Sequence, residues 1–178
     1  ACETAMTLAE SLYLLRKALE KLSPALCQRI ENEILHRVIE PVEERDDLGW
    51  LAGKNNWSPW CASNALGAAM YVLEDDERLI HLTEKLIRVV DRFLAGYGPD
   101  GGCDEGPGYW NVAAGAMLVF LELLYSRTGG AVNIYEEPHI QNMGRYIEVM
   151  HLHGPWFANF ADSASKSRFN QAIAYRYG

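Results

Sequence analysis

Amide, phenol, carboxylate and indole groups, the side chains able to hold or move charge beside a ring-shaped ligand, concentrate in three segments of this chain. The first, RDDLGWLAGKNNW, spans Arg45–Trp57 and ends on Asn55, Asn56 and Trp57. The second, GYGPDGGCDEGPGY, spans Gly96–Tyr109, carries Asp100, Asp104, Glu105 and Tyr109, and runs into Trp110. The third, HLHGPWFANFADS, spans His151–Ser163 and carries Trp156, Asn159 and Asp162. An amide at a helix N-terminus can hold a carboxylate, because its N–H donors add to free backbone N–H groups and to the positive end of the helix dipole. A phenol at a helix start has its ionised form favoured and can transfer a proton. Four glycines between Asp100 and Trp110 let the backbone turn tightly and approach a ligand closely. Indole rings near Asp and Asn suit sugars, which present apolar C–H faces and hydroxyl edges.

Each group also has a plainer role. Asn55 or Asn56 can shape a turn through Asx hydrogen bonds. Tyr109 can pack with its hydroxyl on a carbonyl. The third segment can turn its aromatics into the core and use Asp162 as a helix cap. His151 and His153 have no third ligand in view, so no metal site is expected, and no cofactor motif stands out. Cys2, Cys27, Cys61 and Cys103 form no CxxC pair and read as buried free thiols.

The elements that must position these groups read as helices. Leu8, Leu12, Leu15, Leu19 and Leu22 recur at helical spacing and predict a first helix over Glu3–Leu22. Ser23-Pro24 reads as a cap with proline at the first helical position, opening a second helix striped by Leu26, Ile30, Ile34 and Val38 and disturbed at Pro41. Ser58-Pro59 repeats that signal before a third helix lined by Ala62, Leu66, Ala69 and Leu73. After a tight connection at Glu74–Asp76, Leu79, Leu82, Leu86, Val90 and Phe93 mark the inner face of a fourth, ended by Gly96 and Gly98. A fifth runs from Gly108 to Arg127, and Pro138 opens a sixth over His139–Met150. No sustained period-two alternation occurs, so no sheet is expected.

Helices that alternate up and down place every second connection at one end, which predicts that the three chemical segments share a face. The expected fold class is all-α: antiparallel helical hairpins forming part of an (α/α) toroid, in one domain over residues 1–178. That length suits one domain with a substantial core. A net charge of −8 argues against a nucleic-acid surface, which needs clustered Lys and Arg. The longest unbroken apolar run, Val112–Leu121, is short for a membrane span. The first and last residues read as those of a piece of a larger protein.

Taken in order, Asn-Asn-Trp (Asn55–Trp57), Asp-Gly-Gly (Asp100–Gly102), Glu-Gly-Pro-Gly-Tyr-Trp (Glu105–Trp110) and Phe-Ala-Asn-Phe-Ala-Asp-Ser (Phe157–Ser163) resemble the heparinase II/III-like proteins. The resemblance runs from the first helix to Ser163. It implies an N-terminal (α/α) toroid, a C-terminal β-rich domain of the same parent chain as partner, and β-elimination on an acidic polysaccharide or oligosaccharide containing uronic acid. By this resemblance Asn56 holds and neutralises the uronate carboxylate and Tyr109 is the proton-transfer group. Asn55, Trp57, Glu105, Trp110, Trp156, Asn159 and Asp162 then line the substrate path. Trp57 stands where several relatives carry His. The acidic net charge suits a polyanion poorly, and Lys54 and Arg45 are the cations expected to offset it locally. Paired carboxylates such as Glu105 and Asp162 leave glycoside hydrolysis as an alternative, and the tryptophans leave a non-catalytic carbohydrate-binding module.

Overall fold

The computed structural model describes residues 1–177, and Gly178, the last residue of the expected domain, lies outside them. The described chain is all-α apart from one small hairpin. Helix α1 (Cys2–Leu22) turns at Ser23 into α2 (Pro24–Ile34), which continues through a π-helical turn (Leu35–Ile39) into α3 (Glu40–Glu44). Then follow α4 (Trp57–Val72), α5 (Asp76–Gly96), α6 (Ala114–Arg127), α7 (Pro138–Met150) and α8 (Gln171–Tyr177). Short 3₁₀ segments, Gly49–Ala52 and Pro107–Val112, precede α4 and α6.

Helix α4 sits at the centre. Its sequence, WSPWCASNALGAAMYV, contains no charged side chain, so it has no face to offer water and must be covered on all sides. It packs against α1, α5 and α6, with α2 paired to α1. Small residues set the spacing. Ala62, Ala65, Ala68 and Ala69 are fully buried in α4, and Cys2, Ala5 and Ala9 form the matching face of α1. A Cβ on Gly67 would lie 2.5 Å from the sulfur of Met6. Helix α5 buries the face its spacing marks, with Leu79, Leu82, Leu86, Val90 and Phe93 all inside. Its cap is Asp75, whose carboxylate accepts from the N–H groups of Glu77 and Arg78.

The details depart from the simplest helical pattern in several places. The leucine stripe of α1 is not its core face: Leu12 is buried, but Leu15 is 53% and Leu22 78% exposed. The alanine-rich surface of α4 accepts small residues at close range, and bulky leucines would hold the two helices apart. Pro41 disturbs the second helix, as its position predicts, without ending it. It lacks an N–H and its ring crowds the carbonyl four residues back, and the π turn immediately before it absorbs the mismatch, with the Glu40 N–H reaching back to Leu35 O. Ser58 lies inside α4 rather than capping it, and its hydroxyl donates to Trp50 O at 2.7 Å. The expected fifth helix begins as the 3₁₀ segment and becomes α-helical only at Ala114.

Where no sheet was expected, His151–His153 and Trp156–Phe157 form a two-stranded antiparallel hairpin. Gly154, at φ 53°, supplies the left-handed residue of the turn. Among the described residues only Pro107–Arg127 has the length and hydropathy of a membrane span, and 56% of that window is buried in the fold, where α6 packs on α4.

Leu12→Ala is expected to cost about 2–5 kcal/mol, as for other buried leucines. Leu15→Ala should stay within about 0.5 kcal/mol, as at other exposed positions. Urea unfolding of both variants checks which face of α1 is the core, and equal losses would reinstate the leucine stripe.

Candidate functional site

The first segment is fixed to α5 before it delivers Asn55 and Asn56 to the start of α4. Lys85 Nζ donates to Glu43 O, Arg45 O and the Asp46 carboxylate, and Arg92 donates to Leu51 O at 2.6 Å. Gly53, at φ 72°, presses so closely on α5 that a Cβ would meet Val89 O at 2.8 Å. Asn55 then makes an Asx turn, its Oδ1 accepting from the Trp57 N–H at 3.2 Å. Asn55 therefore shapes the turn, and Asn56 caps α4 with its side chain left for another partner.

That partner is Glu105. Asn56 Nδ2 donates to Glu105 Oε2 at 2.5 Å, across 49 residues of sequence. Glu105 is held by the second segment, which is seated on α7. Trp110 Nε1 donates to Met143 O at 2.8 Å, Asn142 Nδ2 to Pro99 O at 2.9 Å, and His139 Nε2 meets Gly98 O at 3.0 Å. Gly101, at φ 78°, approaches the backbone of Asn142 so closely that only glycine fits. Beneath this turn burial pushes the Cys103 thiol and the Tyr146 phenol up, the latter to about 12. Both stay protonated at neutral pH and behave as core.

Asn56, Trp57, Trp60, Glu105, Tyr109 and Val112 surround a cleft of about 380 Å³. Trp57 is 61% exposed and offers a ring face, while Trp60 and Tyr109 are half-buried. A second cavity of about 250 Å³ lies on the other side of the Asn56–Glu105 pair, bordered by Lys54, Tyr97, Cys103 and Asp104. The pair is thus shared by the aromatic cleft and a second cavity bordered by Lys54 and Asp104.

No protein-family model matches the chain, and no curated protein matches its sequence.

Of the expected site residues, Asn56, Trp57, Glu105 and Tyr109 meet in the aromatic cleft, and Asn55 borders the second cavity. Trp110 is corrected: it is 0% exposed and cannot touch a ligand. Tyr109 stands in the 3₁₀ segment rather than at the α6 N-terminus, which begins five residues later. Trp156, Asn159 and Asp162 are exposed and line neither cavity, and Trp156 is covered by Lys166 Nζ 4.4 Å from the ring centre. Arg45 binds Asp47 at 2.8 and 3.0 Å, so the cation bordering the site is Lys54. His151 meets Gly154 O, and among the described residues no three His, Cys, Asp or Glu side chains gather as metal ligands.

The third segment acts from behind. Ser163 is buried, and its Oγ accepts from the Gly108 N–H at 2.7 Å. It reaches the second segment directly, so the second segment touches both the first and the third. Trp60 and Val112 belong to the cleft without having been singled out in the sequence. The helical signal for them exists, since Trp60 lies four residues after Asn56 on the same face of α4 and Val112 lies three after Tyr109 in a 3₁₀ turn.

Gly106, at φ 88°, is the contact on which the second and third segments close, because a Cβ would lie 2.5 Å from Ser163 Cβ and 2.6 Å from Phe160 O. Gly106→Ala should destabilise by about 1–3 kcal/mol from backbone strain alone. It should also move the cleft, visible as a shift in tryptophan fluorescence. Gly49→Ala, with no atom near its new methyl, is the control expected to unfold like the parent.

Proposed function

We propose that this chain is the toroid part of a polysaccharide lyase-like protein that breaks a uronic-acid-containing polysaccharide by β-elimination. The observation that carries the reading is the convergence of Asn56 and Tyr109, 53 residues apart, on one cleft walled by Trp57 and Trp60. The succession of α1, α4 and α6 side by side, with α2 paired to α1 and α5 to α4, supports the toroid, since repeated hairpins in two layers are its building unit.

In this reading a sugar ring lies against Trp57 and Trp60, with its carboxylate on the Asn56 amide. A base removes the proton on the carbon bearing the carboxylate, the electrons form a carbon–carbon double bond, and the glycosidic C–O bond breaks. Tyr109 gives its proton to the departing oxygen. The intermediate is an enolate-like dianion, so an N–H aimed at the carboxylate strengthens as charge develops. The aromatic cleft also suits a binding module without chemistry, favoured by the exposed face of Trp57. Hydrolysis by paired carboxylates loses support, because Glu105 borders the cleft and Asp162 does not.

Elimination creates a conjugated product that absorbs in the near ultraviolet, which hydrolysis and binding do not. The 178-residue chain alone is expected to show little turnover, because the partner domain supplies the opposite wall and a further catalytic group. In the parent protein Tyr109→Phe should lower kcat by about 10²–10⁴-fold with KM little changed, and Asn56→Ala should lower kcat and weaken binding. Undiminished product absorbance with Tyr109→Phe would remove Tyr109 from the chemistry. Glycan binding without any ultraviolet product would leave the binding module as the function.

A further inference from the structure

An asparagine amide can work as a donor or an acceptor, depending on which end faces the ligand. For Asn56 that choice is made by Glu105. The carboxylate accepts only, so it draws Nδ2 towards itself, and the reversed amide would set Oδ1 against Oε2. Both ends of the contact are fixed by backbone. Asn56 O accepts from the Trp60 N–H at 3.2 Å in the first turn of α4. Glu105 sits in the turn closed by Gly106 N–H to Cys103 O at 2.8 Å, next to the glycine wedged against Phe160 and Ser163. Both residues border both cavities, so the orientation of the amide is felt on each side.

We propose that Glu105 is a positioning residue: it pins the Asn56 amide nitrogen at the wall between the two cavities and leaves one N–H of that nitrogen for the carboxylate of a uronate. The inference rests on the lyase-like reading of the cleft for its ligand, and on the Asn56–Glu105 contact for its geometry. Without Glu105 the amide turns freely and presents Oδ1, which repels a carboxylate, for part of the time. The Glu105 charge also opposes an anionic ligand. An uncharged acceptor at the same place therefore keeps the orientation and removes the opposition.

The test compares Glu105→Ala with Glu105→Gln in the 178-residue chain, using two readouts. The first is the side-chain amide resonance of Asn56 by ¹⁵N–¹H NMR, assigned by its loss in Asn56→Asp. It should shift and broaden in Glu105→Ala and stay close to the parent position in Glu105→Gln. The second is affinity for a hyaluronan tetrasaccharide, in which glucuronate alternates with N-acetylhexosamine, followed by tryptophan fluorescence. Both substitutions remove the opposing charge, so the orientation is read from their difference: Glu105→Gln should bind about twofold more tightly than Glu105→Ala, the ratio between an amide held in one orientation and one free to take two. An Asn56 resonance indifferent to Glu105→Ala would overturn the proposal. So would a Glu105→Gln variant that binds no more tightly than Glu105→Ala, which would make the charge itself the working group. If the resonance responds as expected but the parent chain ignores the tetrasaccharide, the positioning contact stands and the uronate reading of the cleft fails.

Discussion

The absence of any charged side chain from α4 is the constraint from which the rest of the arrangement follows. A helix without a polar face is stable only when covered, and here α1, α5 and α6 cover it. Its small residues determine how near they come, so α1 contributes Cys2, Ala5 and Ala9 and turns its leucines outward. Because α4 is held on three sides, its first turn is held too. Asn56, Trp57 and Trp60 emerge from that turn at a fixed height and angle, which gives a candidate site a rigid floor at no extra cost in local structure.

The second wall is built differently. Residues 97–106 contain no helix of their own, and glycine-rich backbone alone would wander. Trp110 supplies the anchor: it is wholly buried, bonded to Met143 O, and edge-on to Phe169 at 5.9 Å. Its neighbour Tyr109, one residue earlier on a tight 3₁₀ turn, faces another way and borders the cleft. The indole thus serves the site by fixing the backbone that carries the phenol. The third segment adds the clamp from Ser163 to Gly108, and Asn111 ties the same stretch to Arg168 O at 2.8 Å.

Local rules made much of this legible and long-range ones did not. Helix α5 was readable because its apolar residues alternate with a charged face, so periodicity and burial coincide. Helix α1 carried an equally regular leucine pattern, yet the choice of face was settled by the size of the residues on α4, information that lies more than fifty positions away. Ser58-Pro59 looked like a cap because cap signals are local, whereas a buried hydroxyl bonded to Trp50 O needs the folded first segment. Asn56, Trp57, Glu105 and Tyr109 could each be picked by residue type. That Asn56 and Glu105 share a hydrogen bond follows only when α4 and the second segment are both in place, and no spacing rule encodes it.

The same pair bears on the mismatch between an acidic chain and an anionic ligand. Charges further away than about 8–10 Å are screened at ordinary ionic strength, so the net charge of −8 matters less than the groups at the wall itself. Arg45 is occupied by Asp47 and Lys85 by the carbonyls ending α3, which leaves Lys54 beside Asp104 and Glu105 at the second cavity. Glu105 shares part of its charge with the Asn56 amide, and among the described residues the aromatic cleft has no other carboxylate, Lys or Arg in its lining. An isolated carboxylate entering beside Trp57 therefore meets one opposing charge, already hydrogen-bonded.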